Sequence, residues 1–273
     1  MARRTIKKKR PDGYDTRIYA ANIEPDPRLA GLVSYWRVTS HGKYMHRDMF
    51  MTPDECMEIS FNFRSTGVKR TAMVAGVLQK PIRFKTQNLV DLIGIKFMPG
   101  SFYSLFRVPA DSLTGTILPL RSVLGRNAAR FNKVFERKSL GSRIGLINAL
   151  LVDFAREREP VKPEIQLVLE KVRERKGKIT ISEMAEITGW TRQWFSESFG
   201  KWVGTTPRAF CMNSKLVNAI RKLNTGAKPA AVAQETGYSD QAHLSRSFKR
   251  GTGFTTKTMF RSKRFKKVLP LEP

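Results

Sequence analysis

A seven-residue pattern occurs twice in the chain, 48 positions apart: Ala185-Glu-Ile-Thr-Gly189-Trp-Thr191 and Ala233-Gln-Glu-Thr-Gly237-Tyr-Ser239. Each copy continues into a stretch ending in phenylalanine, Phe199 and Phe248, now 49 apart. The second copy therefore carries one extra residue near the start of that stretch. A repeat of this length restricts the region to two similar supersecondary units. The local chemistry of each copy is that of a helix, a tight turn and a second helix. Thr180 and Glu183 have capping-box spacing, and Ile181, Met184 and Ala185 form a compact apolar face. Pro229 suits the first turn of the matching helix in the second copy. Gly189 and Gly237 can take the left-handed conformation that ends a helix, where a Cβ is costly. Trp190 and Tyr238 then pack inward, and Thr191, and Ser239 or Asp240, cap the next helix.

The second helix of each unit divides into two faces. Phe195 and Phe199, and Leu244 and Phe248, point inward at i, i+4. Arg192, Gln193, Ser196 and Glu197 face outward in the first unit; Gln241, Ala242, Ser245, Arg246 and Lys249 do so in the second. Arg and Gln can read guanine and adenine edges bidentately in the major groove. Trp194 and His243 hold equivalent places between cap and core. Trp194 is expected at the DNA-facing rim, with membership of the core as the competing reading. Residues 207–223 join the units as one helix with Phe210, Leu216, Val217, Ile220 and Leu223 on its apolar face. That would set two reading helices about one DNA turn apart, roughly 34 Å, in successive major grooves. The plain alternative is a small helical domain with an ordinary polar surface, and the repeat argues against it.

Charge points the same way. Fifty Lys and Arg against 23 Asp and Glu give a formal net charge of +27, which favours a polyanionic partner through counterion release. Anionic membrane, ribosomal RNA and simple solubilising charge compete with DNA on that ground alone. Cys56 and Cys211 lack the spacing of a zinc site or disulfide framework, so a reducing cytoplasm is the expected compartment. His41, His46 and His243 are too scattered for an obvious metal cluster, and no cofactor is expected. The first ten residues lack the apolar stretch of a signal peptide. The longest apolar run, residues 144–152, is too short to span a bilayer.

The fold class expected is α+β: a mixed, β-rich, barrel-like N-terminal domain, then an all-α domain of two helix-turn-helix units joined by a connecting helix. Residues 58–63 alternate polar and apolar as a half-buried strand does, and residues 89–97 read as another strand broken by Pro99-Gly100. Ser101 is expected to cap a short helix carrying Phe102, Leu105 and Phe106. Leu140, Ile144, Ile147, Leu151 and Phe154 mark an amphipathic helix, a dimerisation stripe or a face packed within its own domain. Arg156-Glu-Arg-Glu-Pro160-Val-Lys-Pro163 is charged and proline-broken and suits an interdomain segment. The expected boundaries are a basic flexible tail at 1–16, a sensory or oligomerisation domain at 17–158 and a linker at 159–166. The DNA-binding domain follows at 167–262, with a basic tail at 263–273.

Gly237-Tyr-Ser-Asp-Gln-Ala-His-Leu-Ser-Arg-Ser-Phe-Lys-Arg250 closely resembles the signature of the AraC/XylS family of bacterial regulators. Gly204-Thr-Thr-Pro207-Arg-Ala-Phe210 resembles the segment after the first recognition helix in that family. The likeness covers roughly residues 165–262. It implies a seven-helix domain that recognises asymmetric sites near promoters. Arg192, Gln193, Trp194, Ser196 and Glu197, with Gln241, His243, Ser245, Arg246 and Lys249, are then the DNA-contact candidates. Glu197 departs from relatives that carry a DNA-compatible residue there; a carboxylate is repelled by phosphates but can accept from cytosine N4. Thr256, Met259 and Phe260 also replace the usual Pro, Tyr and Arg. The first half resembles the N-terminal domain of one AraC-like subgroup. Its echoes are Pro53-Asp-Glu-Cys-Met-Glu-Ile-Ser-Phe-Asn62, Leu92-Ile-Gly-Ile-Lys-Phe-Met-Pro-Gly100 and Val108-Pro-Ala-Asp-Ser-Leu113. The resemblance admits RNA polymerase, a small-molecule effector at the N-terminal domain and a second copy of the chain as partners beside double-stranded DNA, and no membrane.

Two other classes compete. Residues 1–159 carry 28 basic and 14 acidic side chains, more positive charge than a purely regulatory domain needs. A non-specific, charge-driven nucleic-acid-binding or architectural protein would account for that surplus. An enzyme is the third class. Asp54, Glu55 and Glu58 are the nearest thing to a carboxylate cluster, but without a His or metal-spaced partner they read as a solvated turn and strand edge. His41 and His46 read as surface residues, and no catalysis is assigned.

Overall fold

The computed structural model describes residues 5–6, 17–41, 47–63, 70–86 and 91–261. The N-terminal half is strand-led, with β1 (Thr5–Ile6), β2 (Arg17–Ile23), β3 (Val33–His41), β4 (Arg47–Met51) and β5 (Met57–Asn62). Then come β6 (Thr71–Ala75), β7 (Ile82–Thr86), β8 (Asp91–Phe97), α1 (Ser101–Phe106) and β9 (Ile117–Pro119). Short helices α2 (Leu120–Leu124) and α3 (Ala128–Asn132) lead to the long α4 (Leu140–Arg156). The C-terminal half is helical: α5 (Pro163–Glu174), α6 (Ile181–Thr188), α7 (Arg192–Val203), α8 (Pro207–Asn224), α9 (Pro229–Thr236), α10 (Gln241–Thr252) and α11 (Thr256–Arg261). The β-rich half followed by an all-α half is the expected class.

Seven strands pair antiparallel in the order β1-β2-β3-β8-β5-β6-β9, and β4 and β7 form a separate ladder. Period-two alternation puts one face of this sheet in the core. Tyr35, Ile95, Ile59 and Val74 align across β3, β8, β5 and β6, and all four are buried. On the opposite face Trp36 lies across Gly94, whose added Cβ would come within 2.1 Å of the indole. That close approach lets Trp36 Nε1 donate to Glu58 Oε2 at 2.9 Å. Helix α4 covers the core face with Ile144, Ile147, Leu151 and Val152, so the amphipathic stripe is buried within its own domain. Tyr35 Oη donates to Asn148 Oδ1 at 2.7 Å, tying α4 to the sheet.

Several expectations are corrected. Thr5–Ile6, in the segment expected as a tail, pair with β2. The other residues of 1–16, residues 263–273 and His46 lie outside the described residues. Ser101 is the first helical residue and buried, not the cap; Gly100 at φ 88° turns the chain into α1 with no side-chain cap bond. That turn abuts Val161, whose Cγ1 would stand 3.1 Å from a Cβ at Gly100. The three carboxylates are not a solvated turn. Asp54 pairs with Lys96 at 2.5 Å, Glu58 is buried beside Trp36, and Glu55 is half-buried against α8, where the Ser214 side chain bonds it.

Burial pushes the Glu58 carboxyl up to about 7, against the pull of Lys96 and the Trp36 hydrogen bond. Between its ordinary value of 4.5 and about 7, the native chain holds a proton that the unfolded chain has released. The contribution of this group to stability therefore falls as pH rises through that window. Glu58→Gln keeps the shape and removes the titration. In urea denaturation it should gain stability relative to the parent at the upper end of the window compared with the lower end. Parallel pH dependences for the two proteins would refute the assignment.

Candidate nucleic-acid interface

Each helix-turn-helix unit is built from local signals. Thr180 Oγ1 accepts from Glu183 N at 3.2 Å while Thr180 N donates to Glu183 Oε2 at 2.8 Å, closing the capping box of α6. The Thr180 hydroxyl and backbone, with Arg175 beside them, hold the Glu183 carboxyl below its usual range. Helices α6 and α9 end at Gly189 (φ 68°) and Gly237 (φ 80°). Thr191 then caps α7, accepting from Trp194 N at 3.2 Å. Asp240, not Ser239, caps α10, accepting from His243 N at 2.6 Å. Thr191 follows its glycine by two residues and Asp240 follows by three, which accounts for the change of offset from 48 to 49.

The inward residues of the reading helices are Phe195 and Phe199 on α7, and Leu244 and Phe248 on α10, each fully buried. They belong to separate cores. The first takes in Ile165 and Val168 of α5, Met184 of α6 and Phe210 of α8; the second takes in Leu216 and Ile220 of α8 and Val232 of α9. Helix α8 thus contributes one end to each core. Its 18 residues span about 27 Å at about 1.5 Å per residue. Gly251 lets α10 approach α8 closely, since a Cβ there would meet Leu216 Cδ2 at 2.2 Å.

On the outward faces, Arg192, Gln193, Trp194 and Glu197 are exposed on α7, and Gln241, His243, Arg246 and Lys249 on α10. Ser196 and Ser245 occupy equivalent flanking positions and are half-buried in both units. Gln193 Nε2 donates to Glu197 Oε1 at 3.1 Å. Trp194 is 52% exposed, so it stands at the rim and not in the core. Its ring meets Trp190 edge to face at 6.4 Å between centroids, and His243 meets Tyr238 in the same manner at 5.2 Å. The Ser239 hydroxyl lies 3.1 Å from His243 Nδ1. Each unit therefore rests the third residue of its reading helix on the aromatic that follows its turn glycine.

Two cations escaped the sequence reading. Lys162, from the interdomain segment, places Nζ 5.3 Å from the Trp190 ring and 5.8 Å from Trp194. Nothing in the sequence links it to a helix thirty residues on. Arg250 is exposed one turn beyond Arg246, and the i, i+4 spacing would have found it.

The N-terminal domain packs on the first unit. The Tyr103 ring meets Trp202 at 4.6 Å, and Thr114 Oγ1 donates to Gly204 O at 2.7 Å. Asn213, buried on α8, donates through Nδ2 to Asp54 O at 2.9 Å and to Leu78 O at 3.2 Å. The interdomain segment is itself held. Ser104 Oγ donates to Glu159 O, Arg107 pairs with the Glu159 carboxylate, and α5 begins at Pro163, inside residues 159–166. Among the described residues, no three His, Cys, Asp or Glu gather as metal ligands, and no helix is long and apolar enough to cross a membrane.

Two capped helix pairs, each presenting a polar second helix and joined by one rigid helix, define a double helix-turn-helix DNA-binding domain. Residues 184–262 match the family model described as a helix-turn-helix domain, and this C-terminal region is a domain of the AraC/XylS type. Residues 21–119 match a domain of unknown function (DUF6597). An uncharacterised HTH-type transcriptional regulator of Bacillus subtilis, YbfI, is 34% identical over 82 residues, which is 30% of each chain. The HTH-type transcriptional activator Btr of the same organism is 34% identical over 70 residues, 25% of this chain and 13% of Btr. The chain thus spans less than a third of the length of these curated relatives. ToxT of Vibrio cholerae O395 aligns over 88% of this chain and 98% of its own, with a TM-score of 0.41 and 10% identity.

Proposed function

We propose that the chain is a sequence-specific DNA-binding transcription regulator whose α7 and α10 enter successive major grooves of an asymmetric promoter site. The observation that supports this reading most is the duplicated exposed helix face, held at fixed separation by α8. Arg192, Gln193, Trp194, Ser196 and Glu197 are the contact candidates of the first unit, and Gln241, His243, Ser245, Arg246 and Lys249 those of the second. Lys162 and Arg250 add phosphate contacts at the edges. The N-terminal domain serves as sensor or oligomerisation platform and takes a small-molecule effector, while a second copy of the chain and RNA polymerase are further partners, in the cytoplasm.

Binding-site selection from a random duplex pool tests the proposal, followed by titration of selected and scrambled sites at two salt concentrations. The expected result is an asymmetric motif in two blocks about one turn apart, bound roughly 10³-fold or more over scrambled DNA. Arg246→Ala should cost about 1–3 kcal/mol at the selected site and little on scrambled DNA. An equal loss on both would make Arg246 a phosphate contact.

A second reading, charge-driven binding without sequence preference, has one observation in its favour. Arg121, Arg126, Lys133, Arg137 and Lys138 are exposed on the N-terminal domain, and none forms an ion pair with a described residue. It predicts equal and steeply salt-dependent binding to every duplex.

A further inference from the structure

With the offset of 49, every position on α7 has a counterpart on α10: Ser196 with Ser245, Trp194 with His243, Phe199 with Phe248. At about 100° per residue, Gln193 and Glu197 fall on the line of α7 opposite Phe195, Phe199 and Trp202. This is the centre of the exposed face, the part of the helix that goes deepest into a groove. The counterpart of Glu197 there is Arg246. The two units match in the side-chain caps of their second helices, their turn glycines, aromatic rests and inward core residues, yet carry opposite charge at the centre of the exposed face.

A carboxylate at that point is repelled by the phosphates on both sides, so it weakens general DNA affinity and is useful only for a base that donates. In the major groove, cytosine offers its N4 amino group to an acidic acceptor, and guanine offers O6 and N7 to an arginine. The Gln193 amide steadies Glu197 by donating from Nε2 to Oε1, since an amide nitrogen donates and does not accept. Oε2 has no protein partner among the described residues. No such brace holds Arg246, and Lys249 and Arg250 follow it on the same side of α10 with no acidic partner among the described residues. An ordinary solvated i, i+4 pair would also place Gln193 beside Glu197, but it would not account for the reversal of charge at a position otherwise built alike.

We propose that the two units read base edges of opposite polarity: Glu197, braced by Gln193, accepts from cytosine N4 in the first block, and Arg246 donates to guanine in the second. This rests on the sequence-specific reading above and specifies what each unit recognises. The site then has one block held by base discrimination with little phosphate attraction, and one held by both.

The test is binding-site selection with the full chain, its Glu197→Ala variant and its Glu197→Arg variant, followed by single-atom probing of the selected duplex. Glu197→Ala should lose about tenfold or more of the discrimination at one C·G pair of the first block, leave the second block unchanged, and bind scrambled DNA more tightly. Glu197→Arg should move the first-block preference towards guanine on the contacted strand. Replacing guanine by 7-deazaguanine, which lacks N7, should weaken binding in the second block and leave the Glu197-dependent pair unaffected. A Glu197→Ala motif identical to that of the parent overturns the polarity proposal while leaving sequence-specific reading intact. A 7-deazaguanine loss at the Glu197-dependent pair overturns it as well. Failure of the parent chain to select any motif removes the reading on which it rests.

Discussion

Phe248→Ala is expected to destabilise the second helix-turn-helix unit by about 3–5 kcal/mol, the usual cost of removing a fully buried phenylalanine from a core that cannot collapse around the gap. The reason lies in the size of that core. Phe248 packs with Leu216, Ala219, Ile220, Leu223, Val232, Ala233, Tyr238 and Leu244, a cluster that among the described residues takes its members from the second unit and α8. The first unit, by contrast, shares its core with Tyr103, and its α7 abuts α1 and the 3-10 turn Ala110–Leu113. Loss of Phe248 should therefore unfold α9 and α10 while the remaining chain stays folded. Thermal unfolding followed by circular dichroism should show a new low-temperature step in Phe248→Ala, and the second block should drop out of the selected DNA motif. A single transition merely displaced to lower temperature would mean that the second unit does not melt separately.

The C-terminal half was legible in the sequence because its determinants are local. Capping residues act over three positions, turn glycines over one, and inward aromatics over four, so Thr180, Gly189, Thr191, Phe195 and Phe199 could each be placed without knowing the fold. The choice between Ser239 and Asp240 needed coordinates, since both can cap and only the path of the turn selects Asp240. The strands of the N-terminal half could be recognised individually from their alternation, but not their order. Pairing of β3 with β8 joins residues some sixty positions apart, and no local pattern encodes that. The carboxylates were misjudged for the same reason. Asp54 and Glu58 look solvent-facing until Lys96 and Trp36 arrive from other strands, and Glu55 until α8 arrives from the other domain. Lys162 was invisible as a site residue because it comes from a segment whose composition suggested a passive connection. The polarity reversal between Glu197 and Arg246 was present in the sequence. It gained meaning only when the 49-residue offset placed both residues at the centre of equivalent exposed faces.

Asn213→Ala is expected to loosen the N-terminal domain from the connecting helix at a cost of roughly 2–6 kcal/mol, because it strands two carbonyls, one in a buried and one in a part-buried contact, each worth about 1–3 kcal/mol unpaired. The amide uses both hydrogens, one on Asp54 O and one on Leu78 O. The position matters as much as the number of bonds. Asn213 lies on α8 between Phe210 in the first core and Leu216 in the second, so the N-terminal domain grips the helix that sets the spacing of the two reading helices. Tyr103 against Trp202 and Thr114 on Gly204 would still hold the first unit after the substitution. The expected result is a lower midpoint for the full chain and faster amide exchange around residues 54 and 78. Weaker binding should follow at sites whose blocks are set at the native spacing, with smaller losses at sites that lengthen it by a base pair. An unchanged midpoint together with unchanged exchange would mean that the two domains are joined by the Tyr103 and Thr114 contacts alone. The spacing of the recognition helices would then belong to α8 without support from the N-terminal domain. Asn213→Asp separates the two cases further. Its carboxylate cannot donate to either carbonyl, so it should be worse than alanine if the latch forms in solution and equivalent to it if the interface is already open.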